Sequence, residues 1–67
     1  MEEIIFIIKE SPEGGFEANA LEHSIFTEGD DIEQLKQNVR EAVHCHFEKD
    51  VPAFIKLQFV TEEIIEA

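Results

Sequence analysis

Two stretches of this 67-residue chain gather side chains that could do chemistry. His44-Cys45-His46 sets two imidazoles around a thiol, the ligand types of a zinc site and the partners of a cysteine nucleophile. Thr27 to Leu35, TEGDDIEQL, packs Glu28, Asp30, Asp31 and Glu33 around Gly29, the oxygen-rich composition of a cation loop. Spacing decides against both. On a helix, residues two apart point about 200° from each other, so His44 and His46 do not converge on one ion. Zinc-binding pairs on one helix face need three- or four-residue spacing. His23 or a second subunit could complete a site, but no pattern ties either to the cluster. His46 lies on the apolar stripe and reads as a residue at the edge of the core. Cys45 reads as a small packing residue, because adjacency along a helix does not give a thiolate its base. In a calcium loop, ligands alternate around a glycine at the sixth position, whereas here Gly29 precedes the aspartates.

The acidic stretch makes better sense as a helix start. Asp30 can cap the first turn with Glu33 three residues on as its reciprocal partner, and Asp31 with Gln34 offers the same pattern shifted by one. Carboxylates at this end also meet the positive pole of the helix dipole. Gly14-Gly15 has no lysine and no helix after it, so it is not a phosphate loop. No catalytic residue, cofactor or metal is expected, and the chain does not read as an enzyme.

Composition narrows the class further. Five Lys and Arg stand against sixteen Asp and Glu, a formal net charge of -11 at pH 7. Direct nucleic-acid binding needs clustered basic side chains to displace counterions, and anionic membrane surfaces need the same. A basic partner is the natural counterpart of such a field. The lone Cys45 cannot form an intrachain disulfide and fits the reducing cytoplasm. The opening MEEIIFIIKE has an acidic flank and a short apolar run, unlike a secretion signal, and no segment reaches the length of a membrane span.

Hydrophobic patterning supplies the elements that would hold these groups. Ile4 to Lys9 is an apolar β-branched run, a first strand. Ser11-Pro12-Glu13-Gly14-Gly15 is a turn. Phe16, Ala18 and Ala20 alternate with Glu17 and Asn19 in a second strand, and Leu21-Glu22-His23 connects it to a third over Ser24 to Glu28. From Asp31 to Glu48, Ile32, Leu35, Val39 and Val43 recur at helical spacing. Pro52 stops the helix, and Ile55, Leu57 and Phe59 mark a fourth strand that Thr61 to Ala67 could extend. Residues 1–67 therefore predict one α+β domain in the order β-β-β-α-β, an antiparallel-rich sheet with one helix on one face. A domain this small buries only about 60% of its unfolded surface and gains from an oligomer. The first strand is apolar on both faces, and the single helix covers one. Ile5 and Ile7 are therefore expected in a homodimer or higher homo-oligomer contact.

The segments EGGFEANAL (Glu13 to Leu21) and IFTEGDDIEQLKQNVREAV (Ile25 to Val43) resemble the N-terminal domain of the HicB-like antitoxins. The resemblance runs from Ile4 to about Phe59 and rests on the strand order and the Gly29-Asp30 step into the helix. Glu22-His23-Ser24 replaces the family's usual Pro-Gly-Cys. Many members carry a C-terminal operator-binding domain. Here a few acidic residues follow the fourth strand, so the likeness is to the stand-alone N-terminal domain. The resemblance implies a partial ferredoxin-like or RNase H-like fold. It also implies an antitoxin that neutralises a small basic HicA-type mRNA-interferase by covering its RNA-binding surface. Glu17, Glu28 and Glu41 are the acids expected to meet such a partner. The alternative is a small acidic homo-oligomer with a structural or regulatory role and no toxin.

Overall fold

The computed structural model describes residues 2–61 and 65–67. Strands β1 (Glu3–Glu10), β2 (Phe16–Ala20) and β3 (Phe26–Gly29) are followed by helix α1 (Ile32–His46) and strand β4 (Phe54–Phe59). This is the expected α+β order. The sheet runs β3-β2-β1-β4, with β1–β2 and β2–β3 antiparallel and β1–β4 parallel. The parallel pair follows from the connection: the chain returns through α1, and a crossover of that length brings β4 in alongside β1.

The apolar run of β1 takes an interior position, with a hydrogen-bonded neighbour on each side. Its alternate residues Ile4, Phe6 and Ile8 are almost wholly buried, and they pack with Ala18, Leu35, Val39 and Val43. Burial of each large apolar side chain here is worth about 1.5–3 kcal/mol. Ile5 and Ile7 point to the other face, where no helix lies, and are half-buried.

The β1–β2 turn closes through Gly14 N–H to the Ser11 carbonyl and Ser11 N–H to the Gly15 carbonyl, both at 3.0 Å. Gly14 and Gly15 have φ of 101° and 80°, a region glycine adopts without a Cβ clash. The third strand begins later than its sequence suggests. Ser24 and Ile25 belong to the β2–β3 link, where the Ile25 carbonyl accepts the Ala20 N–H at 3.0 Å and Ile25 itself is buried.

Of the two caps the sequence offers at the helix start, the structure uses the second. Asp31, not Asp30, is the N-cap: its backbone is extended, and its Oδ1 accepts the Gln34 N–H at 2.7 Å. Gln34 Oε1 in turn accepts the Asp30 N–H at 2.8 Å, so Gln34 rather than Glu33 is the reciprocal member. The phase that turns Leu35, Val39 and Val43 onto the sheet begins the helix at Ile32, which moves the cap one residue on.

At the far end α1 stops at His46 rather than Glu48. Phe47 is extended, with its N–H on the Val43 carbonyl at 3.0 Å. Asp50, at φ 55°, then redirects the chain, and Val51 and Pro52 fold inward. Beyond β4, the Val60 N–H reaches the Ile8 carbonyl at 2.9 Å, so pairing with β1 runs one residue past Phe59. The rest of the expected extension falls partly on residues 62–64, outside the described residues.

Gly29 is where α1 meets the sheet most closely. A Cβ placed there would lie 2.6 Å from the Leu35 nitrogen and 2.7 Å from its Cα, both backbone atoms that can yield only if the helix moves. The Asn38 side-chain amide ties the same turn down, donating to the Glu28 carbonyl at 2.7 Å. Gly29→Ala is therefore expected to lower stability by about 1–3 kcal/mol, the usual effect of overpacking. Urea unfolding at constant m-value measures it, and an unchanged midpoint would contradict the close seating.

Candidate functional site

The structure separates the acids that the sequence offers to a partner. Glu17 on β2 and Glu28 on β3 are directly paired across the strands. They project from the face opposite α1, since their neighbours Ala18 and Thr27 share the helix side with Ile8. Lys9 pairs with Glu17 on its other side, giving a row of Lys9, Glu17 and Glu28 across three strands. Glu41 does not join them. It lies on the solvent side of α1, where the Gln37 side-chain amide donates to it at 3.4 Å.

A second acidic group forms at one end of the sheet. Glu28, Asp30, Asp31 and Glu33 are all exposed at the junction of β3 and α1. The β1–β2 turn comes to the same end: a Cβ on Gly15 would lie 2.7 Å from the Gly29 carbonyl oxygen. Glu13 in that turn is exposed as well. Glu28 belongs to both acidic groups.

The histidines are arranged differently from their spacing in sequence. His44 and Cys45 are exposed on α1. His46 turns instead toward His23 from the β2–β3 link, with ring centroids 6.2 Å apart. Phe47 completes the cluster, its ring 5.4 Å from His23 and 4.9 Å from His46, each contact edge-to-face. Among the described residues no three His, Cys, Asp or Glu side chains come together as a metal-ligand set. The meeting of His23 with His46 was missed in the sequence, where the only available signal was the place of His46 on the apolar stripe. At the hairpin end, Ile8, Lys9, Glu10, Phe16, Phe59 and Val60 help line an open depression of about 470 Å³. What the arrangement offers chemically is a charged rim and an uncovered sheet face, both suited to protein contact. No helix among the described residues is long and apolar enough to cross a membrane.

Two curated relatives match the chain. It is 40% identical over 63 residues to a UPF0150 protein of Thermotoga maritima, covering 94% of this chain and 90% of that protein. It is 48% identical over 46 residues to a UPF0150 protein of Archaeoglobus fulgidus, covering 69% of this chain and 68% of that one. No family model and no solved structure matches.

The paired Glu17 and Glu28 carry a stability consequence. Like charges directly opposed across strands are destabilising, and opposite charges there are worth about 0.2–1 kcal/mol. Glu28→Lys is expected to raise the free energy of unfolding by an amount in that range. Because salt screens exposed charges, the gain should shrink in a concentrated-salt denaturation series. A loss of stability at low salt would rule out the opposed pair.

Proposed function

The chain belongs to the UPF0150 family, and from that premise we propose that it is an antitoxin-like binding module of the HicB kind. Its partner is a small basic mRNA-interferase of the HicA type. It neutralises that partner by occupying the basic surface that would otherwise receive RNA. The module does no chemistry of its own, takes no cofactor, makes no direct contact with nucleic acid, and acts in the cytoplasm where the toxin meets its substrate.

The observation that carries this reading is the acidic rim where β3 passes into α1. Glu28, Asp30, Asp31 and Glu33 stand exposed there. Opposite potentials steer encounter and fix orientation more than they set final affinity, so the rim would act chiefly on the rate of association. The rim is also rigidly placed. The Asp31 cap, the reciprocal Gln34 bond and the Asn38 tie hold its backbone, so the charges are presented without much ordering on binding. Glu41 lies about two helical turns beyond Glu33 on the exposed side of α1, so it extends the acidic surface along the helix away from the rim.

The alternative, an acidic homo-oligomer with a structural or regulatory role, draws on a different observation: Ile5 and Ile7 lie half-buried on a face that no helix among the described residues covers. The two readings use adjoining surfaces that share Glu28.

Co-expression with the product of the adjacent gene tests the proposal. The expected result is a small basic protein that co-purifies with this chain and regains RNA cleavage when released. Reversing Glu28 and Asp30 to Lys should slow association by about tenfold at low salt and far less at high salt, as rim charges do. An adjacent product that is not basic, or that fails to co-purify under low salt, would overturn the antitoxin reading.

A further inference from the structure

The sheet face turned away from α1 differs in charge from the rest of the molecule. Ile4, Phe6 and Ile8 go under the helix, so the odd-numbered residues of β1 and their register partners form the open face. Its β1–β4 half presents Ile5, Ile7, Lys9 and Lys56, with Glu3 at the far end of β1, and its β2–β3 half presents Glu17, Phe26 and Glu28. Two of the chain's five basic residues thus lie on one face of a molecule that carries sixteen acids. They are gathered on one half, with Glu17 and Glu28 on the other. The face also holds exposed aromatic surface at its outer strands, Phe26 at 55% and Phe54 at 70%.

A copy of this chain brings a net charge of -11 to any encounter and is repelled over most of the surface. The divided face is where that repulsion is weakest, and one rotation turns it into attraction. The geometry points to a twofold homodimer in which the open faces of two sheets stack, with the axis parallel to the strands between β1 and β2. That rotation exchanges left and right across the sheet and keeps each residue's level along the strand. β1 of one copy then lies over β2 of the other. Lys9 and Glu17 are already level with each other within the chain. Lys9 of one copy therefore stands over Glu17 of the second, and symmetry makes the same contact twice, as an isologous interface requires. Ile5 and Ile7 fall beside the axis, with Ile5 set against Leu21, itself 49% exposed in the monomer. Stacked sheets sit about 10 Å apart with their strands nearly aligned, a spacing that apolar side chains from both faces fill.

The same arrangement accounts for the opposed Glu17 and Glu28. A second lysine delivered to Glu17 supplies countercharge that the monomer lacks at this point. A basic protein is the weaker occupant for this face, because Lys9 and Lys56 would confront it, whereas Asp30, Asp31 and Glu33 at the helix start stay free for such a partner. The inference does not depend on the toxin reading.

Mixing two charge-reversed chains tests the contact. Lys9→Glu and Glu17→Lys each place like charges at both copies of the contact in their own homodimer, while a heterodimer of the two restores opposite charges at both. Each variant carries the same change within its own chain before and after mixing, so a gain on mixing reports only contact between chains. Sedimentation equilibrium at low salt should give twice 7.7 kDa for the unaltered protein. Each variant should shift toward monomer, and mixing should tighten association by about tenfold or more over either variant alone, as close charge pairs across interfaces do. Ile7→Asp, with its fold checked by circular dichroism, should be monomeric. A monomeric unaltered protein, a mixture no tighter than its components, or a folded and dimeric Ile7→Asp would each overturn the proposal. So would a monomer that captures a basic partner through Ile7 and Lys9.

Discussion

The apolar character of β1 on both its faces is the constraint from which the rest of the structure follows. With the apolar run Ile4 to Ile8 in the sheet interior, its backbone needs a hydrogen-bonded neighbour on each side, and its alternate side chains need cover on each face. The antiparallel hairpin to β2 meets the first demand on one edge and the parallel return of β4 meets it on the other. The helix meets the second demand on one face through Leu35, Val39 and Val43. A single helix leaves the other face unmet, which is why Ile5 and Ile7 are half-buried while Phe6 is fully enclosed. The charge pattern is then imposed on this frame: the strands place Lys9, Glu17 and Glu28 in one row, and the helix start gathers Asp30, Asp31 and Glu33 at one end.

Much of this was legible in the residues. The strand run, the glycine turn, the helical stripe and the acidic cap are local signals, each readable within a few neighbours, and all correspond to elements of the fold. Local signals leave the outcome open where two solutions compete. Asp30 and Asp31 are both good caps, and only the phase of Leu35 against the sheet selects the second. Ser24 and Ile25 have strand character, yet the Ile25 carbonyl is used to close the link from β2. Phe47 continues the helical spacing, but the chain must turn back to β4 and leaves the helix there.

Facts that depend on register were not legible. The sequence places Glu17 and Glu28 far apart, and nothing local shows that β2 and β3 set them opposite each other. The same holds for His23 and His46, which meet only because the β2–β3 link and the end of α1 lie at the same end of the domain. Glu41 shows the converse: an acid that composition alone groups with the others is placed by helix phase on another side. Charge counts identify the kind of partner, whereas topology decides which charges it can meet together.

The parallel pairing of β1 with β4 has a consequence for how the chain acquires its structure. Glu3 pairs with Phe54 and Ile8 with Phe59, so one edge of the central strand stays open until the hairpin, the third strand and the helix have all been synthesised. Closing such a distant pairing carries a large loop entropy and is slow compared with forming the meander of β1 to β3. Until that pairing closes, the isoleucine-rich strand keeps one unpaired edge, and the net charge of -11 opposes association of unfinished folds through it.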